Sequence, residues 1–173
     1  CALPILPSTG YIMSEELPKV HTEYNDGEII DDIKNMAENA EFIDIRDTLT
    51  ENKDKQIYYK TDHHWTSYGA YIGYTEAGKA MKFSAYTADK FSVEHASDTF
   101  RGTLYSKTLD NSITPDTIDI YALADNEPKV SVTVYKSGAQ PDGTYDSMYF
   151  REFLNVKDKY STFLGQNVPR IDI

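Results

Sequence analysis

The chain has 173 residues, of which 40% are hydrophobic and 26% are charged, a composition typical of a globular protein with one substantial core. Its 17 lysines and arginines stand against 28 aspartates and glutamates, and the resulting net charge of −11 excludes binding to the phosphate backbone of nucleic acid. A single cysteine excludes an internal disulfide and a metal site built from cysteines, and no apolar run reaches the roughly 18 residues of a membrane span.

The first half of the chain alternates between predicted strands and helices. The predicted elements, in chain order, are a strand at 2–6, a helix that ends near 39, a strand at 41–45, a short helix at 47–52, a strand at 57–59 and a helix at 66–82. Strands joined by helices form right-handed crossovers with parallel strands. This order therefore predicts an α/β protein, a three-layer α/β/α sandwich of the flavodoxin-like kind.

The second half of the chain carries a predicted insertion. Residues 83–112 are rich in loop-forming residues, whereas 117–121 and 130–135 alternate between apolar and polar residues and predict two strands. These strands predict a small antiparallel β insertion, within 83–143, beside the main sheet. We expect residues 1–173 to belong to one domain.

The chemistry of the chain is concentrated at the turn between the third predicted strand and the helix that follows it. Asp62, His63, His64 and Trp65, the last being the only tryptophan, occupy four successive positions there. In open α/β sheets, ligands bind outside the carboxyl ends of the strands. A carboxylate on one nitrogen of an imidazole fixes its tautomer, so that the other nitrogen can take a proton from a serine hydroxyl. Asp62 and His64 are predicted to be such a catalytic pair.

Two other interpretations of this turn stay open. Imidazole and carboxylate groups suit zinc or iron, so Asp62, His63 and His64 could ligate a divalent metal, although no further ligands lie at recognisable spacing. The turn could instead be structural, with its histidines capping a helix and Trp65 filling the core. We expect no metal, and we expect no organic cofactor because glycine-rich phosphate-binding patterns are absent from the sequence.

The turn also carries a family resemblance. Thr61-Asp62-His63-His64-Trp65-Thr66, followed by Gly69-Ala70, resembles the signature of the DHHW family, bacterial proteins similar to the alginate O-acetyltransferase proteins and to the wider SGNH/GDSL hydrolase group. Further matching segments are Leu17-Pro18, Phe42-Ile43-Asp44-Ile45, Phe100-Arg101-Gly102-Thr103-Leu104-Tyr105-Ser106-Lys107, Asp158-Lys159-Tyr160 and Phe163-Leu164-Gly165-Gln166-Asn167. In the alginate relatives the corresponding segment has the form Asp-x-His-Trp. The resemblance thus implies Asp62 and His64 as the catalytic pair, with His63 at the variable position.

The resemblance implies an SGNH hydrolase-like domain with O-acetyl esterase or transferase activity on envelope or exported polysaccharide, outside the cytoplasm. The expected partner is a carbohydrate or acylated polysaccharide, and peripheral association with the envelope would use a segment preceding this chain. His63, Trp65 and Arg101 are the predicted substrate contacts. The alternative is a non-catalytic carbohydrate-binding or envelope-assembly protein on the same scaffold.

In the family the serine nucleophile follows the Asp–His pair, in an Asp-Ser element after a strand. The last residues, Ile171-Asp172-Ile173, resemble the lead-in to that element. We therefore expect the chain to be a fragment, truncated at both ends and inactive without its nucleophile. Ser147, in Tyr145-Asp146-Ser147, is not predicted to be the nucleophile because no strand clearly leads into it.

Overall fold

A computed structural model describes residues 2–4, 7, 9–17, 26–38, 40–125 and 128–173, with the backbone alone described for 2–4. Its helices are α1 (Thr9–Ile12), α2 (Asp26–Met36), α3 (Arg46–Glu51), α4 (Ser67–Met81) and α5 (Thr103–Thr108). Its strands are β1 (Ala2–Pro4), β2 (Glu41–Ile43), β3 (Phe91–Phe100), β4 (Asp116–Leu123), β5 (Val132–Tyr135), β6 (Gly143–Tyr145) and β7 (Arg170–Asp172). The chain divides into two compact units, Cys1–Thr87 and Ala88–Ile173.

The first unit begins with the predicted parallel strand pair. β1 lies parallel to β2, with Leu3 opposite Phe42, and α2 lies in the connection between them. This confirms the predicted parallel pairing of the two strands, although β2 ends at Ile43, two residues earlier than predicted. The prediction that the first strand continues through residues 5 and 6 falls outside the described residues.

The core of the first unit gathers side chains from α1, β2, α3, α4 and the segment before α4. Its buried members are Ile12, Ile43, Ile45, Leu49, Ile57, Tyr58 and Ile72, and Trp65 and Tyr68 pack against them. Leu49 is completely buried. Because Ile57 and Tyr58 belong to this core, apolar packing holds the segment that leads to Asp62 in place.

Helix α4 has well-defined ends, close to the predicted bounds of 66–82. Thr66 caps its first turn, where the side-chain Oγ1 accepts a hydrogen bond from the backbone N–H of Gly69 at 3.2 Å. Lys82 ends it in the left-handed conformation, with φ of 60°. The cap fixes where the turn stops and the helix begins.

The predicted strand at 57–59 is wrong as a regular strand. Tyr58 forms an isolated antiparallel bridge to Trp65, and no further strand pairing is described there. The physical reason is that this segment uses its backbone groups within its own loop, where Thr66 N–H donates to the carbonyl of Ile57 at 2.9 Å.

The second unit contains two antiparallel sheets. β3 pairs with β4, and β5 lies between β6 and β7. The predicted strands at 117–121 and 130–135 are confirmed as β4 and β5, but they lie in different sheets. The prediction of a loop-rich 83–112 is wrong at 91–100, which is the longest strand in the described part of the chain.

The described residues thus form a mixed α/β structure with antiparallel sheets. Its parallel sheet has two strands, so the predicted three-layer flavodoxin-like sandwich is not confirmed. None of the helices in the described ranges combines the length and the apolar content needed to cross a membrane.

Candidate active site

The candidate site lies on a loop that closes on itself between α3 and α4. Thr66 N–H donates to the carbonyl of Ile57 at 2.9 Å, and Tyr59 N–H donates to the carbonyl of His64 at 3.1 Å. These two bonds bring the ends of the loop together and leave residues 60–63 as the turn at its tip. Every one of these bonds joins residues fewer than ten positions apart, so the turn is specified locally.

Asp62 and His64 are in direct contact within this turn, as the sequence predicts. Oδ1 of Asp62 is hydrogen-bonded to ring Nδ1 of His64 and accepts the backbone N–H of the same residue at 3.1 Å. The spacing of two residues makes this possible, because an aspartate side chain reaches the backbone two positions on. The Asp62 side chain is 3% exposed and the His64 side chain is 35% exposed.

The contact sets what the imidazole can do. With Nδ1 held by the carboxylate, Nε2 is the nitrogen through which the His64 ring would take a proton from a substrate or nucleophile. A buried carboxylate beside the ring stabilises the imidazolium that then forms. The arrangement can therefore perform general base catalysis.

His63 lies against this pair on the solvent side. Its side chain is 60% exposed, and its Nδ1 is 3.7 Å from Oδ1 of Asp62. The two imidazole rings are 4.0 Å apart between centroids and tilted by 35°. One ligand atom from each of Asp62, His63 and His64 lies within 4.8 Å of the others, so these three side chains could also hold a metal ion.

Trp65 is used in packing. It packs against the core of the first unit, and a Cβ atom at Gly73 would lie 2.8 Å from the indole ring. At Gly69, a Cβ would lie 2.3 Å from the carbonyl oxygen of Ile57. Glycine at these two positions lets α4 approach the loop. The predicted contact of Trp65 with substrate stays a prediction.

A cavity of about 390 Å³ lies beside residues 55–60, the part of the chain that leads to Asp62. Sequence reasoning missed this cavity. It is lined in part by Met13, Leu17, Tyr59 and Lys60, the last being two residues before Asp62. Its volume is within the range of small-molecule pockets. Met13 and Leu17, which follow α1, supply part of its apolar lining but form no pattern that sequence reasoning could recognise.

Tyr58 connects residues 55–60 to the segment after β1. Its buried hydroxyl donates to the backbone carbonyl of Pro7 at 2.8 Å. Burial raises the pKa of Tyr58, and the negative charge of Asp26 raises it further. The hydroxyl is therefore a neutral structural donor and not a second base.

The second unit holds Arg101, a predicted substrate contact, and Ser147, which is not predicted to be the nucleophile. Arg101 lies between β3 and α5, with its guanidinium carbon 4.3 Å from the centroid of the Tyr105 ring. Ser147 makes a local turn, in which its Oγ accepts the backbone N–H of Tyr149 at 3.0 Å. Neither observation tests the predicted contact of Arg101 with substrate or the prediction that Ser147 is not the nucleophile.

Sequence reasoning also missed a second Asp–His contact. His95 on β3 faces Asp119 on β4, and its Nδ1 is 2.6 Å from the Asp119 carboxylate. The two residues are 24 positions apart, so only the register of an unpredicted strand brings them together. The His95 side chain is 78% exposed and that of Asp119 is 32% exposed, in contrast to the buried Asp62.

The profile of the family described as DHHW protein matches residues 20–173. No curated protein matches the chain. A crystal structure of a DHHW family protein from Eubacterium siraeum DSM 15702 is similar with a TM-score of 0.79 and 23% identity, over 98% of this chain and 56% of that chain.

Two further solved structures have the same fold. Bacillus cereus PatB1 with a sulfonyl adduct gives a TM-score of 0.74 at 20% identity, over 98% of this chain and 58% of that chain. The O-acetyltransferase domain of Pseudomonas putida AlgJ gives a TM-score of 0.54 at 19% identity, over 72% of this chain and 50% of that chain. The chain thus spans between half and three fifths of the length of each of these proteins.

Proposed function

The chain belongs to the DHHW family, and on that premise we propose that it carries the general base of an O-acyl esterase or transferase, with acetyl as the acyl group. The observation that supports this proposal is the hydrogen bond between His64 Nδ1 and the buried carboxylate of Asp62. That contact orients the ring and stabilises its protonated form.

The proposed reaction proceeds through an acyl-enzyme. His64 Nε2 takes the proton of a serine hydroxyl, and the serine oxygen attacks the carbonyl carbon of an acyl ester. Collapse of the tetrahedral intermediate breaks the ester bond, and the imidazolium returns its proton to the departing alcohol. A sugar hydroxyl in a transferase, or water in an esterase, then attacks the acyl-enzyme with the same base.

The proposed nucleophile is a serine in a longer protein, after residue 173. The lengths of the solved structures support this proposal, because the chain spans 56% of one and 58% of another. The remaining strands of a three-layer sandwich would come from the same longer protein. We also propose that residues 1–173 belong to one domain, with 83–143 as an insertion.

The proposed substrate is an acylated polysaccharide outside the cytoplasm, reached by a secreted or envelope-associated protein. An O-acetyltransferase domain among the solved structures with this fold supports the type of reaction. His63, Trp65 and Arg101 are the proposed substrate contacts. In the proposed reaction the polysaccharide either carries the acyl ester that is cleaved or supplies the hydroxyl group that accepts the acyl group.

The test is hydrolysis of an aryl acetate by the protein extended to its natural C-terminus. We expect His64→Ala to lower kcat/KM on the order of 10²–10⁴-fold, and His95→Ala, which removes the exposed imidazole of the second unit, to leave it within about twofold. The 173-residue chain alone is expected to be inactive. Equal activity of the wild-type protein and His64→Ala would contradict the proposal. A folded extended protein that also fails on acetylated polysaccharides would favour the carbohydrate-binding alternative.

The close grouping of Asp62, His63 and His64 supports one second candidate, a metal site. His63 separates the two candidates, because it would be a metal ligand but not part of the base pair. If a metal is bound, Zn²⁺ should raise the Tm of the wild type but not of His63→Ala, and a chelator should abolish hydrolysis. For a base pair we expect neither effect.

A further inference from the structure

The cavity beside residues 55–60 has a largely apolar lining. Met13, Leu17 and Tyr59 contribute to it, and Met13 also packs against the core of the first unit. Tyr59 is only 3% exposed, so the surrounding structure holds it in place. A volume of about 390 Å³ lies at the small end of the range for pockets that hold small molecules. Apolar side chains that line such a space are stabilised when an apolar group replaces water there.

The charged residues that line this cavity are positive on balance. They are Lys55, Lys60 and Glu16, two cations against one anion. The chain as a whole has a net charge of −11, so its surface repels anions in general. The cavity therefore combines an apolar lining with a local excess of positive charge, and this combination fits a ligand that has an apolar body and an anionic group.

Lys55 differs in its partners from three other lysines of the first unit. Those three pair with a carboxylate: Lys34 with Asp44, Lys53 with Glu15, and Lys79 with Glu76. Lys55 donates instead to two neutral oxygens, Oδ1 of Asn52 at 2.9 Å and the hydroxyl of Tyr68 at 2.8 Å. Neither partner carries a negative charge that would cancel the charge of the ammonium group.

These contacts hold the ammonium group of Lys55 in position. Its Nζ lies 5.2 Å from the centroid of the Tyr68 ring, and the hydrogen bond with Tyr68 is the main cause that raises the pKa of Lys55. An ammonium group has three N–H donors, and Asn52 and Tyr68 take two of them. Lys55 is thus a positioned cation with a third donor for a ligand.

We propose that this cavity binds a small carboxylate with an apolar body, such as a medium-chain fatty acid. The carboxylate accepts a hydrogen bond from Lys55, and the chain packs against Met13, Leu17 and Tyr59. A hydrogen bond between two charged groups is stronger than one between neutral groups. A neutral amphiphile lacks this bond, and acetate lacks the apolar body, so both should bind more weakly. This inference does not depend on the proposed function.

The test is calorimetric titration of the protein extended to its natural C-terminus with octanoate and with octanamide, which has the same chain and no charge. Lys55→Gln should weaken octanoate binding by about three- to fivefold, the effect of an exposed ion pair, and leave octanamide binding unchanged. Lys79→Gln is the matched control, because Lys79 is an exposed lysine of the same unit outside the cavity. It should change the affinity for octanoate by less than about twofold.

Nuclear magnetic resonance of the methionine methyl groups locates the ligand. Met13 lines the cavity, whereas Met36 and Met81 do not and are 79% and 57% exposed. Octanoate should shift the methyl signal of Met13 and leave those of Met36 and Met81 unchanged. Leu17→Trp should weaken both octanoate and octanamide, because the larger side chain occupies the cavity. The Tm of this variant shows whether it is folded.

Three results would overturn the inference. A folded wild-type protein without saturable octanoate binding would show that the cavity is closed to this ligand, for example because a later part of the longer protein covers it. Equal affinity for octanoate and octanamide would show an apolar pocket with no use for Lys55. Shifts at Met36 and Met81 without a shift at Met13 would place the ligand elsewhere. If Leu17→Trp does not fold, the exposed Lys55→Gln still decides.

Octanoate binding and aryl acetate hydrolysis are separate measurements, so the two proposals fail separately. Octanoate binding that depends on Lys55, in a protein without hydrolysis, would contradict the proposed function alone. Hydrolysis that depends on His64, in a protein that does not bind octanoate, would contradict the ligand site alone.

Discussion

At the scale of single residues, the Asp62 carboxylate does two things at once. It accepts the backbone N–H of His64, which shapes the turn, and it holds the ring of the same residue. An amide oxygen could still accept both bonds but would carry no charge. The structural and the electrostatic contributions of Asp62 can therefore be separated by one substitution.

Asp62→Asn in the extended protein should keep the turn and lose most of the activity. We expect kcat to fall on the order of 10²-fold or more, because the imidazolium loses its counter-charge. Far-UV circular dichroism should be unchanged. Asp119→Asn is the matched control, since it alters the exposed Asp–His contact of the second unit. If both variants lost activity equally, the assignment of the base to His64 would be wrong.

A second prediction concerns acid stability. Arg46 holds the pKa of Asp44 below its usual value through hydrogen bonds to the carboxylate. A lowered folded-state pKa contributes stability that is present above the unfolded pKa of about 3.9 and is lost as the pH falls through the folded pKa.

Asp44→Asn should therefore lower the free energy of unfolding at pH 7 by about 0.5–1 kcal/mol, the range of partly exposed ion pairs. The difference from the wild type should be smaller near pH 2 than at pH 7, because the Asp44 carboxyl group takes up its proton as the pH falls through its lowered pKa. Urea denaturation at the two pH values measures this, with the exposed Asp32→Asn as control. The same difference at both pH values would show that the loss is due to packing.

At the scale of elements, α4 depends on glycine where helices usually prefer alanine. Gly→Ala in a helix normally adds roughly 0.8–1 kcal/mol of stability. At Gly69 the added Cβ would lie 2.3 Å from a backbone carbonyl, which has no rotamer with which to move away.

Gly69→Ala should consequently destabilise the protein by about 1–3 kcal/mol, as overpacking does. Gly78→Ala is the control in the same helix, because its Cβ would lie 3.1 Å or more from its neighbours. Chemical denaturation of the two variants gives the comparison. Stabilisation by Gly69→Ala would mean that the close approach of α4 to the loop is not needed.

The elements that the sequence predicts best are those with a regular apolar period. α2 and α4 carry helical periodicity and end within a few residues of the predicted bounds. β3 was missed because four successive residues, Ser92–His95, are exposed and two register shifts interrupt the alternation. An exposed edge strand leaves little apolar signal in its sequence.

The candidate site was predictable to the extent that it is local. Asp62 and His64 are two residues apart, and an aspartate side chain at that spacing reaches the backbone and the ring of the histidine without help from the rest of the fold. Nη1 of Arg101 is buried and has no hydrogen-bond partner among the described residues. Sequence reasoning could not predict this, because it depends on how the surrounding residues pack. The stretch at 57–59 was predicted as a strand from its aromatic composition, although its backbone groups bond within the loop.

At the scale of the whole molecule, the organisation into one domain can be tested by hydrogen exchange. Leu49 is fully buried in the core of the first unit, so Leu49→Ala should cost about 2–5 kcal/mol. In one cooperative domain, the slowest amides of β4 and β5 should lose protection together with those of α4.

Mass spectrometry of exchange in the wild type and Leu49→Ala gives the result region by region. Val132→Ala, at a fully buried position of the second unit, is the reciprocal variant. Unchanged protection of residues 88–173 in Leu49→Ala would identify two independent domains and contradict the one-domain prediction.

The local hydrogen bonds that close the loop from Ile57 to Thr66 also indicate when this loop forms relative to the rest of the fold. Its hydrogen bonds span fewer than ten residues, a contact range that forms in roughly 1–10 μs, as a β-hairpin does. Closure of this loop therefore needs no residue beyond Thr66, and it can precede the folding of every later segment. If the proposed serine follows residue 173, it would dock against a loop whose Asp62–His64 contact has already formed.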